Sequence, residues 1–140
     1  MNVQTTVISV EDALIYGMVT LAAVDRVMTD RELRAIGDVV RTLPVFRNYD
    51  PERVVPTAEA CGAILRRSDG LDTILEMIAE ALPERLYETA YALAVEVAAA
   101  DLLVEQEELR FLQILRDRLN LDQLTAAAIE RAARARYRKL

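Results

Sequence analysis

The chain has 140 residues, 53% of them apolar and 29% charged, and carries a net charge of -6, no histidine and one cysteine. That is one ordinary domain, with enough apolar surface to build a core without staples. The absence of histidine excludes imidazole acid–base chemistry, Ser-His triads and His-ligated metals; a single cysteine excludes an internal disulfide and a thiolate cluster, so any metal would be held by oxygen.

Scarce Gly and Pro with abundant Ala, Leu, Glu and Arg are helix-forming usage, and start and stop signals divide the chain into about seven helices. Ser9 with Asp12 is an approximate capping box that opens a first helix to about Arg26. Thr29 with Glu32 is a fuller box and opens a second to about Leu43, before Pro44. Asp50-Pro51 pairs an N-cap with proline at the first helical position; that helix is expected to reach Arg67, with an irregularity at Pro56. After the turn Ser68-Asp69-Gly70, a fourth helix covers roughly 70–81. Pro83 starts a fifth that ends near Asp101, the sixth spans about 104–118, and Asp122 caps a seventh that runs into the tail. Short connections imply antiparallel neighbours, and no linker divides the chain, so residues 1–140 are expected to form a single compact helical bundle.

The sequence says nearly the same thing twice. Residues 18–36 (MVTLAAVDRVMTDRELRAI) align with residues 94–112 (AVEVAAADLLVEQEELRFL) at an offset of 76, and the repeat halves extend over about 10–43 and 84–119. Helices one and two therefore match helices five and six, which predicts an internal pseudo-two-fold rather than a solenoid. Each copy runs an apolar stretch into an Asp (Asp25, Asp101) and follows it seven residues later with a Glu (Glu32, Glu108) that opens a Glu-Leu-Arg triplet.

The two aspartates are the demanding residues. Leu14, Met18, Leu21 and Asp25 share one helical face, as do Ala90, Ala94, Val97 and Asp101, so each Asp ends a stripe that should face the core. Each also falls in the last turn of its helix, where unpaired carbonyls disfavour an anion by about 0.3–1 kcal/mol. The glutamates are explained more easily, since a first-turn anion suits the helix dipole and Glu32 closes a capping box; helix capping and core packing account for most of the Glu-Leu-Arg triplets. Glu105, Glu107 and Glu108 crowd three acids into one turn, which implies a nearby cation or full exposure. Two readings follow. In one, Asp25 and Asp101 accept backbone N–H bonds and clasp the turns after them. In the other, each Asp–Glu pair is half of an all-oxygen cage for a hard divalent cation such as Mg2+, Ca2+ or Mn2+, with no organic cofactor.

Among the remaining residues, Glu96 lies in apolar surroundings without an acidic counterpart in the first copy, and a partner arginine is its expected explanation. Cys61 reads as an inert buried thiol, and Tyr87 and Tyr91 as core. Residues 1–130 hold 12 basic and 23 acidic side chains, whereas residues 131–140 hold five basic and none acidic. The acidic body argues against nucleic-acid binding, and the basic tail is explained by a helix C-terminus that prefers cations. The N-terminus lacks a signal-peptide pattern, and the apolar stretch from Thr89 to Val104 is too short to span a bilayer.

The pieces Ala22-Ala23-Val24-Asp25 through Glu32-Leu33 and Ala98-Ala99-Ala100-Asp101 through Glu108-Leu109 resemble the TerB-like family of tellurite-resistance-associated proteins, over about residues 10–120. The resemblance implies an all-α bundle of about seven helices and a metal site that carries over to Asp25, Glu32, Asp101 and Glu108. It also implies a bacterial cytoplasmic protein, at the inner membrane face in some settings, working within a stress-response assembly with a protein partner. Where that family commonly has Gly after the Asp, this chain has Arg26 and Leu102. The leading expectation is a non-enzymatic cation-binding interaction module. The alternatives are a metal-free acidic adaptor for a protein partner and, less favoured, a metal-dependent hydrolase using clustered carboxylates.

Overall fold

Ser9 starts the first helix as its spacing predicts: its hydroxyl accepts from the backbone N–H of Asp12 at 3.0 Å. The Asp12 carboxylate does not close the box, because it instead accepts from the Tyr49 hydroxyl at 3.1 Å and lies 3.6 Å from Arg53. The computed structural model describes residues 7–24, 28–100 and 106–140. Among these, seven α-helices and three short 3-10 turns form the fold, and no strand occurs. The helices are α1 (Val10–Ala23), α2 (Asp30–Thr42), α3 (Val54–Leu65), α4 (Gly70–Ala81), α5 (Tyr87–Ala100), α6 (Gln106–Arg118) and α7 (Gln123–Arg136).

The expected boundaries hold for α2, α4 and α7, and shift at two prolines. Pro51–Arg53 forms a 3-10 turn and α3 begins only at Val54, which puts Pro56 in the first helical turn. A first-turn N–H has no intrahelical acceptor, so the proline costs nothing there and the expected irregularity does not arise. After Pro83, residues Glu84–Leu86 likewise form a 3-10 turn before α5.

The first helix is buried on every side, from Ala13 through Ala22 without a break. The single apolar face expected for it is thus only part of its buried surface, as befits a central helix. It packs against α3, α4 and α5, while α5 packs in turn against α2, α6 and α7. Thr57 and Cys61 of α3 bond Asp12 and the Tyr16 carbonyl of α1, so these two helices run side by side in the same direction. Tyr91 of α5 reaches Glu130 of α7, and Glu96 reaches Arg136, so α7 lies along α5 in the same sense. Tyr91, Phe46, Phe111, Leu14, Met18 and Leu115 are among the largest fully buried side chains.

Capping stabilises α2 most visibly. The Thr29 hydroxyl accepts from the Glu32 N–H at 3.1 Å, and the Glu32 carboxylate accepts from the Thr29 N–H at 2.8 Å. Thr29→Ala is expected to lower stability by about 1 kcal/mol, read from the urea midpoint at constant slope. An unmoved midpoint would show that packing alone sets the start of this helix.

Candidate functional site

Glu32 and Glu108 are both 2% exposed, and they are the charged residues that fall in the buried class among the described residues. Their positions differ by the repeat offset of 76, and each lies in the first turn of its helix, α2 and α6. Burying an ionised carboxylate is costly unless hydrogen bonds, a helix dipole or a cation compensates. For Glu32 the capping box supplies one bond. Of the three acids crowded into one turn, Glu105 lies outside the described residues, Glu107 is exposed, and Glu108 turns into the bundle. Asp25 and Asp101 lie outside the described residues. Among the described residues, no group of three or more acidic, His or Cys side chains is placed to hold a metal ion.

The triplets separate into parts that the sequence treats alike. Glu32 and Glu108 are buried, but Leu33 and Leu109 are 40% and 57% exposed. Core packing therefore does not explain the repeated leucine, which corrects the expectation for the triplet. The cause is helical geometry: neighbouring positions are about 100° apart around the axis, so a buried Glu turns the next residue outward.

Arginine does partner Glu96. Its carboxylate accepts from the Arg136 guanidinium and from the Tyr137 hydroxyl, so the end of α7 is clasped onto α5. Burial pushes the Tyr137 hydroxyl up to about 12, and the bond to Glu96 adds to the shift. The basic tail thus does more than complement its own helix dipole. Arg136 and Tyr137 also line an open groove of about 740 Å³ between α2 and α5. Its flanks carry Arg31 and Arg34; Arg34 belongs to the repeated Glu-Leu-Arg triplet, whereas Arg31 carried no signal in the sequence.

The remaining expectations resolve simply. Cys61 is fully buried, and burial pushes its thiol up to about 11, partly offset by a contact with the Thr20 hydroxyl at 3.5 Å. Since the thiolate is the reactive form, this cysteine is inert near neutral pH. Tyr91 is a core residue, 1% exposed, whose hydroxyl donates to Glu130. Tyr87 is half-buried, with its hydroxyl 3.5 Å from the Ala79 carbonyl. Among the described residues no helix is long and apolar enough to cross a membrane. Comparison with protein-family models, with curated proteins and with solved structures finds no match to this chain.

Proposed function

We propose that this chain is a non-enzymatic TerB-like helical module that binds a divalent cation through Asp25, Glu32, Asp101 and Glu108 and works by engaging a protein partner in a bacterial stress-response assembly. The observation that carries the reading is the burial of Glu32 and Glu108 at equivalent places in the repeat, 2% exposed each. Two buried carboxylates at matching helix starts are well matched to a hard cation with oxygen ligands. The pairing of α3 with α1 and of α7 with α5 supports a pseudo-two-fold between the halves. Arg31, beside Glu32, and Ala100, the last residue of α5, line the same groove, which supports a common end of the bundle for the start of α2 and the end of α5. The cation in this reading is structural, fixing the turns that present the partner surface, and the protein works in the cytoplasm or at the inner membrane face.

A metal-free adaptor is the second reading, and the capping box favours it, since Thr29 accounts for part of the Glu32 carboxylate without an ion. Calorimetric titration of chelator-treated protein with Ca2+, Mg2+ and Mn2+ separates the two. The cation reading expects saturable heat with at least one ion, lost in Asp25→Asn/Asp101→Asn. Absence of heat with all three ions, from a protein shown to be folded, sinks it and leaves the adaptor.

A further inference from the structure

On the first half of the bundle, α4 occupies a seat that the second half leaves open. It packs on α1 alongside α3 and also touches α6. A methyl group built at Gly17 would lie 3.9 Å from Ile78 Cδ1, so the apolar face of α4 rests on the middle of α1. On the repeat reading, α5 corresponds to α1 and α2 to α6, while α7 takes the place of α3. The corresponding seat is then bordered by α5, α2 and the end of α7, which are the walls of the 740 Å³ groove. Leu93, the counterpart of Gly17 at the offset of 76, lines it.

We propose that this groove docks an amphipathic helix of a partner protein, one whose apolar face is flanked by acidic residues. The groove runs beside the 13-residue α2, a length of about 20 Å that suits three turns of helix. Val39, Leu43, Ala92 and Leu93 give it an apolar lining, while Arg31 and Arg34 supply exposed guanidinium groups. Among the described residues neither arginine makes an ion pair. The two acids at the groove are engaged: Asp38 with Arg41 at 2.8 Å, and Glu96 with Arg136 and Tyr137. Among the described lining residues the charge left to meet an occupant is therefore positive, on a body that is otherwise acidic, and it selects an acidic partner helix. The occupant of the matching seat has that chemistry: α4 (GLDTILEMIAEA) buries Ile74, Leu75, Met77 and Ile78 and carries Asp72, Glu76 and Glu80 with no cation.

The inference rests on the repeat reading but not on cation binding, and the two fail separately. The probe is a capped, fluorescently labelled peptide with the sequence of residues 69–82, titrated into the whole protein and followed by anisotropy. Saturable one-to-one binding is expected, with Kd rising at least about tenfold in Arg31→Glu/Arg34→Glu and on moving from low to high salt. Arg66→Glu/Arg67→Glu, on the exposed end of α3, is expected to leave Kd unchanged. Ala92→Trp, which fills the groove without altering charge, is expected to abolish binding, and covers the case in which charge reversal perturbs folding. Lack of saturable binding overturns the proposal, as does binding indifferent to both groove variants. Sedimentation showing that this face instead pairs two copies of the chain also overturns it, in favour of a dimer. Cation titration without peptide reads the metal site independently: peptide binding with no cation heat sinks the cation reading alone.

Discussion

Gly70→Ala is expected to destabilise the fold by about 3 kcal/mol, the upper range for forcing an extra carbon into a packed site. Gly70 opens α4 straight after the turn from α3, and a Cβ there would stand 2.4 Å from the Ile64 carbonyl oxygen and 2.8 Å from the Leu65 Cα. Both are backbone atoms, so no side-chain rotation relieves the overlap. Either the turn opens or α4 moves off α1, and Ile74 and Ile78, fully buried there, lose packing. The control is Gly62→Ala, in α3, where a Cβ meets nothing within 4 Å. That change is expected to be neutral or to stabilise by up to about 1 kcal/mol, because alanine is the better helix former. Chemical denaturation of the three proteins tests both signs. Equal midpoints for Gly70→Ala and wild type would mean that the turn is loose enough to absorb the methyl.

Cation-induced stabilisation is the second large effect expected on the proposed reading, and Glu32→Gln/Glu108→Gln is the variant that isolates it. With an ion present at one hundred times its Kd, the wild-type protein is expected to gain about 2.7 kcal/mol, read as a rise in Tm that grows with ion concentration. Gln has nearly the shape of Glu and keeps an oxygen that can accept the Thr29 N–H, but it removes the charge that the proposed cation requires. The double variant is expected to show no ion-dependent rise, while its ion-free stability falls by no more than about 1 kcal/mol per site. The outcome that favours the metal-free clasp is different: a large loss of ion-free stability, with no ion response in either protein. Measuring both proteins with and without ion therefore tells whether the buried carboxylates serve a ligand or only the start of their helices.

Much of the architecture was readable along the chain because its signals are local. The Thr29–Glu32 capping box, the Asp122 cap with its bond to the Thr125 N–H at 2.8 Å, and the start of α4 at Gly70 all depend on residues within four positions of each other. The corrections are local as well. Pro51 and Pro83 lead into 3-10 turns before their helices begin, and Pro56 falls where its missing N–H is harmless.

The candidate site was legible only in outline. The offset of 76 picked out Glu32 and Glu108 as a matched pair, yet capping offered a sufficient reason for a glutamate at a helix start, exposed or not. Their 2% exposure depends on what α2 and α6 pack against, and no pattern within either helix contains that. That Arg31 and Arg34 border a groove was illegible for a related reason, although Arg34 belongs to the repeated triplet. Their interest comes from facing α5 and the end of α7, segments about 60 and 100 residues away, across a cleft that only packing creates.

By itself, then, the amino-acid order determined an all-helical chain, the boundaries of α2, α4 and α7, and the twofold occurrence of an acidic motif, because propensity, capping and periodicity act over a few residues. Tertiary structure alone decided that the two glutamates turn inward, that the leucines beside them turn outward, that Glu96 holds the chain's basic end through Arg136 and Tyr137, and that a groove opens between α2 and α5. Burial and charge pairing depend on which distant segments come together, and that is settled by the packing of the whole bundle.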